Sequence, residues 1–286
     1  YKHGKFIMGV PIVGDRNDIL NQAEKLKIDE IVLAIPSASK KEISDIVRIC
    51  KKSKAKLKIL PGVYELIDGK VTIHNIRDVQ IEDLLGREEI KTDINEVSTY
   101  IKDKIVLVTG GGGSIGSELC RQIAHIKPRK LVIIDICENS SYEIQNELLR
   151  RNKDLNLKVY IGSIIDKDRI FDLFNRERPD VVFHAAAHKH VPLMKDSPKE
   201  SIKNNVFGTL NLVEAADIFG VERFVMISTD KAVNPTSIMG ASKRLCEMII
   251  QSKNVISKTD YVAVRFGNVL GSNGSVIPLF KKQIEE

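Results

Sequence analysis

Apolar runs alternate with amphipathic stretches from residue 104 to the end of the chain. The runs KIVLVTG, KLVIID, LKVYIG, PDVVFHAAA, RFVMIST and YVAVRFG are apolar enough for strands buried on both faces of a sheet, and helical spacing lies between them. Because helical crossovers join parallel strands, the pattern predicts a parallel sheet. We therefore expect an α/β protein whose residues 104–286 form a doubly wound parallel-sheet Rossmann fold.

A smaller series of the same kind precedes it. EIVLAIP (30–36) and LKIL (57–60) are typical of buried parallel strands, and SKKEISDIVRIC between them has helical spacing with Ser39 as its N-cap. This predicts a small Rossmann-like α/β domain over residues 1–75 that lacks its beginning. Residues 76–103 contain polar stretches without clear periodicity, so we expect a linker there.

Composition narrows the classes of protein that fit. Hydrophobic residues make up 43% of the 286 residues and charged residues 29%, which is ordinary for a globular protein. No apolar run approaches the roughly 18 residues of a membrane span. The net charge is +6, concentrated at KKSKAKLK (51–58), but no aromatic residues interleave for stacking on bases, so we expect a solvated helix end and no nucleic-acid partner. The four cysteines form no CxxC pair, which indicates reduced thiols in the cytoplasm.

A glycine turn, VTGGGGSIGSE, joins the first strand of the larger series to its helix. Such a turn lets a pyrophosphate approach the backbone, and the following helix offers free N–H groups and a partial positive charge. Ser117 follows the last glycine where a P-loop requires Lys, so a P-loop is excluded. A glycine cluster by itself could be only a tight turn. The residues expected to contact a dinucleotide here are Gly110, Gly113, Ser114, Ile115 and Gly116.

An acid at the end of the second strand strengthens this interpretation. Asp135 stands 25 residues after Gly110, near the expected interval of about 20 residues. A carboxylate there binds ribose hydroxyls and repels a 2′-phosphate, so we expect NAD as cofactor in preference to NADP. The alternative is an Asp that only caps a helix.

The fourth strand runs into HAAAHKHVPLM. Ala185 and Ala186 are small enough for a nicotinamide ribose to lie against the backbone. His184, His188 and His190 could suggest a metal site, but they have neither an accompanying acid nor helical i, i+4 spacing, so we expect no metal.

Five blocks together resemble a known family: TGGGGSIGSE, HAAAHKHVPLM, NNVFGT, STDKAVNPTSIMGASKR and VRFGNVLGSNGSVIP. They are similar, block by block, to the polysaccharide-biosynthesis nucleotide-sugar dehydratases, the extended short-chain dehydrogenases that act as UDP-N-acetylglucosamine 4,6-dehydratases. IRDVQIEDLLGRE (76–88) resembles the segment before the catalytic domain in the long, membrane-anchored members. The resemblance implies NAD, a UDP-sugar substrate, a role in surface glycan synthesis, and a homo-oligomer at the inner face of the cell membrane in the full-length protein.

The resemblance also implies that this chain is a piece of a longer protein. The chain starts with Tyr1 and stops inside an apparent helix. Membrane segments are therefore expected outside it, and residues 104–286 are expected to lack part of the C-terminal substrate lobe.

The catalytic residues depart from the usual pattern of short-chain dehydrogenases, which have Tyr four residues before Lys. Here Met239 stands four residues before Lys243. By resemblance, Asp230, held protonated in a dry pocket, is the acid toward the carbon 6 oxygen, and Lys231, held neutral, is the base for carbon 5. Thr229 holds the carbon 4 oxygen and Lys243 the nicotinamide ribose. The base for the carbon 4 hydroxyl stays open between a relay from Thr229 to Asp230 and an ordered water, and Asp230 and Lys231 could instead merely pair on a loop.

Substrate contacts follow from the resemblance alone. Asn268 and the loop after it, including Ser272, are expected to hold the nucleotide diphosphate with Arg265 nearby, and His188 and Lys189 to face the sugar or its phosphates. The alternative is a strand followed by a flexible turn.

One position differs from the family. IGSIID places Ser163, followed by Ile164, where the family has Gly-Asp with the Asp on the adenine. A hydroxyl can still accept that hydrogen bond, so both residues remain candidates for cofactor contact. Two rival functions stay open: a nucleotide-sugar epimerase or 4-keto reductase, and a non-catalytic dinucleotide-binding protein.

Overall fold

A computed structural model describes residues 4–35, 37–60, 76–79, 94–269, 272 and 276–286. The chain divides into two compact units, Tyr1–Thr92 and Asp93–Glu286. Within the expected linker, residues 80–93 lie outside the described residues, as do residues 61–75 of the expected N-terminal domain.

The described residues of the first unit form two small sheets and two helices. Its elements are β1 (Phe6–Ile7), β2 (Val10–Pro11), α1 (Ile19–Lys25), β3 (Glu30–Leu33), α2 (Lys40–Cys50), β4 (Lys56–Ile59) and β5 (Arg77–Asp78). β3 pairs with β4 in parallel, as predicted, and β5 adds an antiparallel edge. The predicted Ser39 cap is confirmed, because its hydroxyl accepts from the Glu42 N–H while the Glu42 carboxylate bonds back.

The second unit alternates strands and helices. Its elements are α3 (Ile94–Ile101), β6 (Ile105–Thr109), α4 (Ser114–His125), β7 (Lys130–Asp135), α5 (Glu138–Arg151), β8 (Leu157–Ile161), α6 (Lys167–Glu177), β9 (Val181–His184), α7 (Val191–Asp196), α8 (Pro198–Ser201), a π-helical turn (Ile202–Phe207), α9 (Gly208–Ile218), β10 (Arg223–Thr229), a 3₁₀ turn (Asp230–Ala232), α10 (Ile238–Asn254), β11 (Asp260–Phe266) and α11 (Val276–Glu285). The helix α3 was not predicted, since it lies inside the expected linker.

Six parallel strands form the sheet of this unit in the order β8-β7-β6-β9-β10-β11. This is the doubly wound Rossmann order, so the predicted fold class is confirmed. Neighbouring residues of β6, Val106 and Leu107, belong to different core clusters, which means that both faces of the strand are buried. Burial on both faces explains why these strands read as continuous apolar runs.

The strand order reverses between β6 and β9, so a crevice forms beyond their carboxyl ends, where sheets of this kind bind ligands. The candidate residues of the sequence lie at these ends. Among the described residues, every helix is too short or too polar to cross a bilayer.

Candidate active site

A cleft of about 430 Å³ opens at the carboxyl ends of β6, β9, β10 and β11, with α10 along one wall. Apolar groups line more of it than polar groups do, and the polar ones come mainly from the segments after β9, β10 and β11. The structure thus brings together residues that are far apart in sequence. The sequence-predicted residues that line the cleft are Ile115, Ala185, His188, Lys189, Thr229, Lys231, Lys243, Asn268 and Ser272.

The glycine turn has the shape that a dinucleotide pyrophosphate requires. Gly110 has φ +71°, and a Cβ there would lie 2.7 Å from the Ala186 nitrogen, so the turn packs directly on the end of β9. A Cβ on Gly116 would lie only 1.9 Å from the Gly110 oxygen. At Gly113, the N-cap of α4, a Cβ would meet nothing nearer than 3.3 Å. The cradle is therefore closed by protein on two sides and open at the helix N-terminus, which fits a pyrophosphate.

Asp135 is tied to this turn. Its carboxylate accepts the Gly112 N–H at 2.8 Å and the Cys137 N–H at 2.8 Å. The half-buried side chain therefore orders both the turn and the segment that leads into α5, whose N-cap is Cys137 and not Asp135. Each oxygen accepts one N–H, and each retains a second lone pair that a ribose hydroxyl can use.

Ser163 and Ile164 occupy the loop after β8. The Ser163 hydroxyl accepts the Ile165 N–H at 3.2 Å, and Ile164 is buried with its side chain close to Gly208. Asn211 donates to the main-chain oxygens of Ile164 and Ile165 at 3.0 Å each. The side chain of Ile164 thus packs in the core of the unit.

A buried polar network that the sequence analysis missed supports the cleft wall. His184 bridges Thr109 and Thr209, with ring nitrogens 2.8 and 2.9 Å from their hydroxyl oxygens. Burial lowers the pKa of His184 to about 3, so the ring is neutral. Of the three histidines considered as metal ligands, this one is therefore a structural group.

Asn205 continues the network from the π-helical turn. Its side chain accepts the His188 N–H at 2.8 Å and donates to the His188 carbonyl at 3.1 Å, and it also donates to the Ser242 hydroxyl at 3.0 Å. The amide therefore fixes the main chain of the segment that lines the cleft after β9. Only the block NNVFGT, to which the sequence alone assigns no role, could have drawn attention to it.

Lys243 and Met239 lie one turn apart on α10 and both line the cleft. The Lys243 amino group is buried and donates to the Ile227 carbonyl at 2.8 Å. Burial lowers its pKa. Met239 is 4% exposed. A thioether therefore occupies the position where the usual pattern has a phenol.

Thr229, Asp230 and Lys231 form a hydrogen-bonded group at the tip of β10. The Thr229 hydroxyl donates to Asp230 Oδ1 at 2.9 Å, and the Lys231 amino group lies 3.2 Å from the same oxygen. Lys231 also donates to Asn268 Oδ1 at 3.2 Å, which links β10 to the segment after β11. Thr229 and Lys231 line the cleft, and Asp230 is bonded to both of them.

The expected protonation of Asp230 is wrong for this state of the protein. Its side chain is 58% exposed, and hydrogen bonds from Thr229 and Lys231 lower its pKa. The dry pocket that would raise the pKa is absent at the strand tip, so Asp230 is an ionised acceptor. The ion pair with Lys231, which is 41% exposed, matches the alternative of two residues that pair on a loop, although Lys231 faces the cleft.

The structure does not bring Arg265 to the cleft. Its guanidinium makes two hydrogen bonds to Glu247 of α10, at 2.8 and 2.6 Å. The expectation of an Arg265 side chain next to the nucleotide diphosphate is therefore wrong in this structure. Asn268 and Ser272, by contrast, lie along the cleft as expected. No group of three or more His, Cys, Asp or Glu side chains suited to a metal occurs in the part of the chain that the structure describes.

Comparison with known proteins gives a consistent picture. A family model described as "Polysaccharide biosynthesis protein" matches residues 106–286. The chain is 50% identical over its whole length to the "Probable polysaccharide biosynthesis protein EpsC" of Bacillus subtilis, of which it covers 48%. The chain thus spans about half the length of the curated relatives it matches.

Two shorter matches carry names of specific activities. A "UDP-N-acetylglucosamine 4,6-dehydratase (inverting)" of Campylobacter jejuni is 36% identical over 187 residues, 64% of this chain and 54% of that protein. A "UDP-glucose 4-epimerase" of Rickettsia bellii is 39% identical over 190 residues, again 64% of this chain and 54% of that protein.

Solved structures share the fold. Pen from Bacillus thuringiensis superposes with a TM-score of 0.62 at 39% identity, covering 65% of this chain and 59% of that chain. The Bordetella bronchiseptica enzyme WbmH, solved in complex with NAD⁺, has a TM-score of 0.53 at 26% identity, covering 64% of this chain and 62% of that chain.

Proposed function

Because this chain belongs to the polysaccharide biosynthesis protein family, we propose that it catalyses the NAD-dependent 4,6-dehydration of a UDP-N-acetylhexosamine, UDP-N-acetylglucosamine in the first place. The product is a 4-keto-6-deoxy sugar for surface glycan synthesis. One observation carries the proposal. A cleft that holds Lys243 beside Met239, and whose described lining residues include no tyrosine, also holds Thr229 and Lys231 bonded to Asp230.

The glycine turn and its neighbours hold the cofactor in this proposal. The backbone around Gly113 binds the pyrophosphate, Asp135 binds the adenosine ribose, and Lys243 binds the nicotinamide ribose. When bound, the dinucleotide supplies reversible acceptance of a hydride from the sugar. The absence of a basic residue next to Asp135 in DICEN supports NAD over NADP.

The proton steps fall to the group at the tip of β10. Asp230, ionised at the start, takes the carbon 4 hydroxyl proton through the Thr229 hydroxyl, which already donates to it at 2.9 Å. The geometry therefore favours the relay over an ordered water. Asp230 is then protonated, and in that form it is the acid for the departing carbon 6 hydroxyl.

Lys231 completes the cycle. Once Asp230 is protonated its ion pair with Lys231 is lost, and the Lys231 ammonium, whose side chain is 41% exposed, releases its own proton to solvent. Neutral Lys231 removes the carbon 5 proton, which the carbon 4 ketone has made acidic. The same two side chains thus serve as acid and base without a tyrosine.

An epimerase or 4-keto reductase is the second candidate, because a UDP-glucose 4-epimerase is among the relatives. Such enzymes need no second acid–base pair beside the nicotinamide, which argues for dehydration. A non-catalytic dinucleotide-binding protein is supported only by Met239.

The test incubates purified full-length protein with NAD and UDP-N-acetylglucosamine and identifies the product by mass spectrometry. We expect loss of one water with no net change in NADH. An unchanged mass with an inverted carbon 4 would identify an epimerase, and no turnover with intact NAD binding would identify a binding protein.

The variant Lys231→Met tests whether Lys231 is the base without disturbing NAD binding. Turnover should fall at least about 10²-fold, the usual contribution of a general base, while NAD binding persists. Lys153→Met, which changes an exposed lysine in the loop after α5, is the matched control and should leave turnover unchanged.

A further inference from the structure

A buried carboxylate lies directly beneath the cleft. Glu247, on α10 one turn after Lys243, has a side chain that is 1% exposed. It accepts two hydrogen bonds from Arg265 at 2.8 and 2.6 Å, one from the Ser228 hydroxyl at 2.6 Å and one from Arg244 at 3.1 Å. These partners lower the pKa of Glu247 to about 2, Arg265 most strongly, so the carboxylate is ionised.

Ser228 and Arg265, which both donate to Glu247, lie one residue before the carboxyl ends of β10 and β11. Ser228 of β10 pairs in register with Arg265 of β11, and the next pair is Thr229 with Phe266. Beyond that pair, Lys231 bonds to Asn268 at 3.2 Å. A contact that holds Ser228 and Arg265 together therefore sets the separation of the two segments that carry these cleft residues.

The helix α10 is tied to β10 at two successive residues. Lys243 donates to the Ile227 carbonyl at 2.8 Å, and Glu247 accepts from Ser228 at 2.6 Å. A strand and a helix joined at two points one helical turn apart cannot easily slide or rotate against each other. The distance from Lys243 to the tip of β10 therefore depends on Glu247.

Building on the dehydratase proposed above, we propose that Glu247 and Arg265 are a positioning pair. Together they fix Thr229, Lys231 and Asn268 relative to Lys243 and balance the charge beside that lysine. Neither residue lines the cleft, so they act through the residues they hold.

Charge is the second part of the proposal. The Lys243 ammonium is disfavoured by burial and favoured by the negative charge of Glu247. Arg265 offsets part of that charge, since it binds both carboxylate oxygens. Of the other groups near Lys243, His184 is neutral at working pH, and burial keeps the Cys246 thiol protonated. Other charged groups of the described residues around the cleft are Lys189, Arg244, which is bound to Glu247, and the Asp230–Lys231 ion pair at the strand tip.

The two members of the pair should thus have opposite effects on Lys243. Glu247→Gln removes the stabilising negative charge, so Lys243 should lose its proton at a lower pH. Arg265→Gln removes a positive charge and leaves Glu247 ionised through Arg244, so Lys243 should lose its proton at a higher pH. A residue with a merely structural role would not produce shifts of opposite sign.

The experiment follows the Lys243 amino group by ¹⁵N NMR across pH in the full-length protein, with Lys243→Arg to assign the signal. Turnover is measured alongside, and both variants should lower kcat about tenfold or more while changing KM little. Glu147→Gln and Arg121→Gln are the matched controls, because they break a doubly bonded pair of the same kind, at 2.9 Å, between α4 and α5. They should leave the Lys243 titration and kcat at wild-type values.

Shifts of the Lys243 titration in opposite directions, in variants that fold, support the proposal. They support it even if the wild-type protein shows no dehydration, a result that would overturn only the proposed function. Shifts in the same direction, no shift in either variant, or equal losses in the control pair would overturn the positioning pair. Thermal unfolding of each variant identifies any that fail to fold, and Glu247→Asp, which keeps the charge, should then restore the wild-type titration in a folded protein.

Discussion

The glycine cradle allows a quantitative prediction for Gly116→Ala. The added Cβ would lie 1.9 Å from the Gly110 oxygen and 2.9 Å from the Gly111 Cα, and real Cβ atoms essentially never come nearer than 3.0 Å. The turn and α4 must therefore separate by about 1 Å, and both atoms that must move belong to the backbone. A misplacement of about 1 Å in a preorganised site can cost about 10²-fold. We expect the affinity for NADH to fall by that factor, about 2.8 kcal/mol.

Fluorescence titration with NADH measures this loss, and urea unfolding shows how much of it is lost folding. Overpacking should reduce the free energy of unfolding by about 1–3 kcal/mol. Ser117→Ala, at the next residue on α4, removes a hydroxyl that donates to the Ser114 carbonyl at 3.2 Å and accepts from Arg121 at 3.5 Å, and this variant should bind NADH as the wild type does. Wild-type affinity in Gly116→Ala, or an equal loss in Ser117→Ala, would refute the argument that this turn is the cofactor cradle.

Three further predictions concern His184 and Asn205, which are buried, and Asp135, which bonds to the glycine turn. The pKa of His184 is about 3 in the folded chain against an ordinary value of 6.5, so the unfolded state binds one more proton between these pH values. The free energy of unfolding should therefore fall by about 1.4 kcal/mol per pH unit on acidification through that window. Urea unfolding at several pH values measures this slope. The slope should be smaller in His184→Gln and unchanged in the control His125→Gln. Asn205→Ala leaves the half-buried main-chain N–H and C=O of His188 without their partner and should cost about 2 kcal/mol in urea unfolding, whereas Asn156→Ala, which loses one exposed bond, should cost under about 1 kcal/mol. Asp135→Asn should raise the affinity for NADPH relative to NADH about tenfold in fluorescence titrations, and an unchanged ratio would contradict the assignment.

The sheet of the second unit was predictable because its strands are buried on both faces. Continuous apolar runs such as that ending at Thr109 mark such strands, and the helices between them repeat with clear spacing. The π-helical turn Ile202–Phe207 was not predictable, since a wider turn leaves no mark on hydrophobic periodicity. Asn205, which lies in that turn, was missed for the same reason.

The site was predictable where position along a strand decides the outcome. Thr229, Lys231 and Asn268 follow the ends of neighbouring parallel strands, so they meet at one edge of the sheet. The direction in which a side chain points depends on its contacts in the folded protein, and Arg265 is an example. The resemblance suggested that Arg265 lies near the nucleotide diphosphate, but the sequence pattern gave no sign that Arg265 bonds to the Glu247 carboxylate of α10.

The pKa of Asp230 likewise could not be predicted from the sequence. The resemblance suggested a protonated Asp230 in a dry pocket, yet the strand ends at Thr229 and the next side chain is in contact with solvent. Two hydrogen bonds then lower its pKa instead of raising it. The proposed order of the proton steps follows from this ionised state, because Asp230 must first accept a proton before it can donate one.

The central claim is that Lys231, together with Asp230 and Thr229, moves the protons that a phenol moves in related enzymes. Running the reaction of the full-length protein with UDP-N-acetylglucosamine in heavy water and recording the proton NMR spectrum of the product tests it most directly. The account predicts a 4-keto-6-deoxy sugar with deuterium at carbon 5, formed by the wild type and by Lys153→Met but not by Lys231→Met. Product that forms at the normal rate in Lys231→Met, with the same deuterium at carbon 5, would contradict it.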